Sequence, residues 1–122
     1  MVNMNIKPLS NLMGAEITGL DLNKVIDEET KKKLLKTLTD YLVICIKQQK
    51  LSPEKLSEVA RIFGKPKKYF VKDETIEDNP EVIIVSNRTK ENVPRVYASH
   101  WHTDDSYREK PATLTFIYPD IL

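Results

Sequence analysis

The hydrophobic and polar positions divide the chain into short pieces at first and longer periodic ones afterwards. Ile6-Lys7-Pro8-Leu9 and Ala15-Glu16-Ile17-Thr18 read as short extended segments, with Gly14 and Gly19 as turn points. Asp27 stands where an N-cap belongs, ahead of Glu28-Glu29-Thr30, whose acidic residues suit the positive end of a helix dipole. Leu34, Leu35, Leu38 and Leu42 then recur at helical spacing and predict one apolar face. The β-branched run from Val43 to Ile46 predicts a buried strand.

A second helix is better marked. Ser52 suits an N-cap and Pro53 the first helical position, where its missing N–H costs nothing. Leu56, Val59, Ala60 and Phe63 line one face, and Gly64 is placed to end the helix in a left-handed conformation. Val82-Ile83-Ile84-Val85 predicts a second compact strand and residues 87–95 a loop. Tyr97 to Asp104 reads as extended, and Thr113 to Tyr118 alternates like a half-buried strand. Helices early and strands late predict an α+β fold. A strand at 113–118 would end the sheet on an open edge, a candidate surface for pairing with a second copy of the chain.

Composition narrows the class. With 122 residues, 40% of them hydrophobic and 30% charged, the chain is expected to be one soluble domain. A net charge of +1 supplies no field for nucleic acid or an anionic membrane. Lysines cluster at 31–33 and in Lys65-Pro66-Lys67-Lys68, which suit a solvated helix face and a loop, or a weak anion-binding patch. Cys45 is the single cysteine and lies in an apolar run, so a buried, inert thiol is expected. No leader or bilayer-length apolar stretch is evident, and a reducing cytoplasm is the expected location.

Both histidines fall in Ser99-His100-Trp101-His102-Thr103-Asp104-Asp105-Ser106-Tyr107. On an extended backbone, residues two apart point to one side. His102 and Asp104 can therefore offer an imidazole nitrogen and a carboxylate oxygen to one metal ion, two ligands of the facial triad that holds non-haem iron(II). A His-x-Asp tripeptide also arises by chance. The structural alternative packs His102 beside Trp101 and uses Asp104 or Asp105 to cap a turn. His100 shares the parity of His102 and is a candidate further ligand, substrate contact or structural histidine.

Four blocks in order carry a more specific signal. Ile6 to Ser10 with Gly14 to Leu22, Leu51-Ser52-Pro53-Glu54, Ala60 to Gly64, and Trp101-His102-Thr103-Asp104 with Ser106-Tyr107 and Pro111 resemble the amino-terminal part of the taurine-dioxygenase (TauD/TfdA-like) family. The resemblance implies an incomplete double-stranded β-helix (jelly-roll, clavaminate-synthase-like) spanning 1–122 as one truncated domain. It implies an iron(II)- and 2-oxoglutarate-dependent dioxygenase that hydroxylates a small organic substrate. His102 and Asp104 would be the near iron ligands, with a histidine far downstream as the third and a late arginine on 2-oxoglutarate.

Here the pattern departs from the family's. No histidine follows His102, and Arg108 is the last arginine, too near the signature for the late role. The family's sulfonate-contacting positions fall at about Tyr69, Lys72 and Ala98, none of which matches, so the resemblance does not extend to taurine itself. Tyr69 and Lys72 remain candidate substrate contacts, Lys72 toward an anion. The chain alone is expected to be inactive. The competing expectations are a non-catalytic module that self-associates or binds a partner, and a small metal protein completed by a second copy of itself.

Overall fold

Gly14 and Gly19 bracket the central strand of the first sheet. In the computed structural model, which describes residues 3–71 and 74–119, their φ angles are +89° and +79°, a region glycine enters without steric cost. A Cβ on Gly19 would collide with the Asn3 carbonyl oxygen, so this turn requires glycine. Between them, β2 (Ala15–Thr18) pairs antiparallel with β1 (Asn5–Pro8) and parallel with β3 (Ile44–Ile46). The parallel pairing needs a crossover, and α1 (Glu28–Tyr41) provides it.

The chain forms two units, 1–55 and 56–122. In the first, α1 begins as its sequence implies: the Asp27 carboxylate accepts the Thr30 N–H at 2.7 Å. It ends at Leu42, whose φ is +67° and whose N–H reaches the Leu38 carbonyl at 2.7 Å. The buried stripe of α1 is Thr30, Leu34 and Thr37, which corrects the expected leucine face. Leu35 and Leu42 are exposed. Threonine can sit in the stripe because the Thr37 hydroxyl donates to the Lys33 carbonyl at 2.7 Å and leaves no polar group unpaired.

Register decides which strand residues are covered. Ala15 pairs with Ile44 and Ile17 with Ile46, so these four share one face, with Ala15 and Ile17 fully buried. Cys45 has the opposite parity beside Glu16, on an edge strand, and is exposed. The expectation of a buried thiol is thereby overturned. Met4, Leu20, Leu22 and Leu34 complete the core of this unit. Gln49 closes it, accepting the Leu22 N–H at 2.9 Å and donating to the Leu20 carbonyl at 2.7 Å.

Helix α2 (Pro53–Phe63) starts on Ser52, whose hydroxyl accepts the Lys55 N–H at 3.1 Å, and enters the second unit at Leu56. There Val59 is buried, and Ser57 is buried against the Asn79 amide at 3.0 Å. Gly64 donates to the Ala60 carbonyl but lies outside the left-handed region, so the expected left-handed stop is not used. A two-stranded antiparallel ribbon follows, β4 (Thr75–Ile76) and β5 (Asn79–Ile83). Only Val82 and Ile83 of the expected apolar strand lie in β5, while Ile84 and Val85 are exposed beyond it. The 87–95 loop is closed by the Arg95 N–H on the Asn87 carbonyl at 2.7 Å.

The two late segments differ most from expectation. Residues 97–104 and 113–118 form no strand. Among the described residues no strand lies alongside either one, so alternation has no ladder to act through. Ala98 interrupts the first with a φ of +47°, and Asp105, just past its end, has a φ of +56°. In the second, the Phe116 ring stands 5.7 Å from that of Phe63, while Ile117 is exposed. Helices, a mixed three-stranded sheet and a small ribbon make an α+β arrangement, as expected. Among the described residues no helix is long and apolar enough to cross a membrane.

Candidate metal centre

The segment carrying both histidines lies between two anchored carboxylates of the second unit. Upstream, Glu74 accepts the Tyr97 hydroxyl at 2.8 Å and pairs with Arg95 at 2.7 Å, and the Arg95 guanidinium lies 4.9 Å from the Tyr97 ring. Downstream, Asp105 is buried under three donors. Lys67 Nζ reaches Oδ2 at 2.8 Å, Tyr69 Oη donates to the same oxygen at 3.3 Å, and Arg108 Nε lies 3.2 Å from Oδ1. The Lys67 ammonium, donating to the carboxylate, is the main reason Asp105 ionises below the usual carboxylate range, against the opposing effect of burial. Burial, with the charge of Asp105 behind it, raises the Tyr69 phenol above its usual value and keeps it a donor.

His102 and Asp104 face each other between these anchors. The Nε2–Oδ1 distance is 3.2 Å, and both side chains are open to solvent. The Nδ1 of His102 lies 3.0 Å from the His100 carbonyl oxygen. In the tautomer with the proton on Nδ1, that nitrogen donates to the carbonyl, and the Nε2 lone pair then meets the carboxylate oxygen. Two acceptors at that separation call for a cation between or beside them, either a proton or a metal ion. Ligand bonds of about 2.1 Å at a right angle place two donor atoms about 3 Å apart, close to the spacing found. The donor set and its spread fit a divalent first-row ion. Among the described residues no third His, Cys, Asp or Glu joins them.

The other candidates fall differently. The His100 ring stands 6.0 Å from that of His102, edge to face, and the His100 carbonyl oxygen is the atom that meets His102 Nδ1. Tyr69, a candidate substrate contact, donates its hydroxyl to Asp105. Lys72 lies outside the described residues. Trp101 is fully exposed and does not pack His102, which removes that part of the structural alternative. Asp105, considered only as a turn cap, is the residue that sequence reasoning missed. Its partners Lys67 and Tyr69 lie 38 and 36 positions away, a distance at which spacing carries no signal. Lys65, Lys67 and Lys68 line an open groove together with Arg108, Glu109 and Lys110, a lining that is mostly basic.

Comparison with known proteins identifies the family. The profile of the taurine catabolism dioxygenase TauD, TfdA family matches residues 5–119. Pentalenolactone F synthase of Streptomyces avermitilis is 27% identical over 111 residues, 86% of this chain and 36% of that protein. An alpha-ketoglutarate-dependent sulfonate dioxygenase of Saccharomyces cerevisiae is 28% identical over 122 aligned positions, 93% of this chain and 29% of that protein. The crystal structure of a taurine dioxygenase from Burkholderia xenovorans superimposes with a TM-score of 0.63 at 25% identity, covering 69% of this chain and 32% of that one. The chain thus spans roughly a third of the length of these curated relatives. It belongs to the TauD/TfdA dioxygenase family.

Proposed function

We propose that the chain is the amino-terminal part of an iron(II)- and 2-oxoglutarate-dependent dioxygenase acting on a small organic substrate, with His102 and Asp104 as two of its iron ligands. The observation that carries this is the 3.2 Å approach of His102 Nε2 to Asp104 Oδ1 in a chain of this family. When bound, iron(II) with 2-oxoglutarate supplies the oxidising chemistry that hydroxylates an unactivated carbon. This chain's own part is positional. The His100 carbonyl holds the Nδ1–H of His102, which turns Nε2 outward, and Asp104 presents Oδ1 beside it. The jelly-roll of the family is the expected surrounding, with β1 to β3 among its first strands.

Two ligands hold a divalent ion weakly, and these 122 residues contain no histidine after His102 and no arginine after Arg108. The chain by itself is therefore expected to bind iron(II) feebly and to be inactive. Family membership favours the enzyme over a non-catalytic module. Anaerobic titration with iron(II) tests the site: His102→Ala and Asp104→Ala should each weaken binding at least about tenfold. Unchanged affinity in His102→Ala would remove the pair from metal binding. A metal-to-ligand charge-transfer band on adding 2-oxoglutarate to the iron-loaded chain would contradict the expected inactivity.

A further inference from the structure

We propose that Asp105 is a positioning residue that holds His102 and Asp104 in ligand geometry by fixing the main chain immediately after Asp104. The inference rests on the metal reading of that pair. The pair sits on a segment with no strand ladder, and among the described residues the one backbone–backbone hydrogen bond within 97–119 is Arg108 N–H to the Asp105 carbonyl, 2.9 Å. Order there has to come from side chains. Asp105 supplies it: its side chain is 7% exposed, while that of Asp104, one position earlier, is 63% exposed.

Asp105 also has a φ of +56°, which costs a non-glycine residue energy unless its surroundings enforce it. Lys67, Tyr69 and Arg108 are those surroundings. Lys67 further donates to the Lys110 carbonyl at 2.9 Å, so one ammonium ties both ends of the 105–110 turn to the segment that follows α2. With that peptide fixed, the Asp104 carboxylate has a defined base from which to meet Nε2. Without the Asp105 carboxylate the left-handed turn loses its donors. The chain at 104–105 is then free to relax toward ordinary φ, and the 3.2 Å approach is lost.

Two readouts on the full chain test the assignment. The first is manganese(II) affinity of the wild type, Asp105→Ala, Asp105→Asn and His102→Ala. The second is the imidazole 15N spectrum of His102 in metal-free protein at about pH 8.5, where an ordinary imidazole is neutral. Asp105→Ala should weaken manganese(II) at least about tenfold, and Asp105→Asn, which keeps an acceptor oxygen, should stay within about threefold of the wild type. The wild type should give shifts of one tautomer with the proton on Nδ1, retained in Asp105→Asn and averaged in Asp105→Ala. A purely structural role would lower stability in both variants without separating them in either readout. If His102→Ala weakens binding while Asp105→Ala does not, positioning by Asp105 is wrong and the metal pair stands. If His102→Ala binds like the wild type, the metal reading fails, and unaveraged shifts in Asp105→Ala then overturn the positioning as well. Should Asp105→Ala not fold, averaged shifts in the folded Asp105→Asn overturn the proposal.

Discussion

His102 Nδ1 meets the main-chain carbonyl of His100, 3.0 Å away, and not its ring. The neighbouring histidine therefore contacts the proposed metal pair through an atom that every residue possesses. His100→Ala should leave iron(II) or manganese(II) affinity within about twofold of the wild type, whereas loss of a ligand costs tenfold or more. Equilibrium titration of the two alanine variants side by side checks this. A large loss in His100→Ala would make its imidazole a ligand after all.

The buried stripe of α1 makes a second contrast. Leu34 is 1% exposed and Leu35 is 36% exposed. Leu34→Ala should destabilise the chain by about 2–5 kcal/mol, as buried leucine truncations do, and Leu35→Ala by less than about 1 kcal/mol. Urea denaturation followed by circular dichroism distinguishes them. Equal losses would restore the leucine face that spacing alone implies.

Gly19→Ala places a methyl group against the Asn3 carbonyl oxygen and forces a left-handed φ on alanine. A cost of about 2 kcal/mol or more is expected, read as a lower urea midpoint. Gly64→Ala, at a position with open space and no positive φ, should be nearly neutral.

Thr30 N–H holds the Asp27 carboxyl below its usual range by donating to it at the start of α1. A depressed folded-state value means the stabilisation is present above the unfolded carboxylate's pKa and is lost as pH falls through the folded one. The melting temperature should therefore fall as the pH drops below the ordinary aspartate value of about 4, and Asp27→Asn, which still caps, should show the smaller fall. Parallel melts across that range test it, and identical acid slopes would remove Asp27 from the acid response.

Cys45 points away from the buried face of the sheet. Iodoacetamide should label it in the native chain without denaturant. Protection until urea is added would place it back in a core.

Local chemistry accounts for what was legible in the chain. The Asp27 and Ser52 caps, the two glycine turns and the start of each helix follow from side-chain atoms bonding within three residues, or from backbone angles only glycine tolerates. The four ordered blocks likewise sufficed for the family, and the two-residue spacing of His102 and Asp104 is what made them a candidate pair. Tertiary structure decided the rest, because burial and strand identity depend on what lies across space. Leu34 is covered and Leu35 is not. Cys45 faces outward because its register with Glu16 sets its side. Residues 113–118 alternate yet have no neighbouring strand among the described residues. Asp105 acquires its place from Lys67 and Tyr69, whose approach no local pattern encodes.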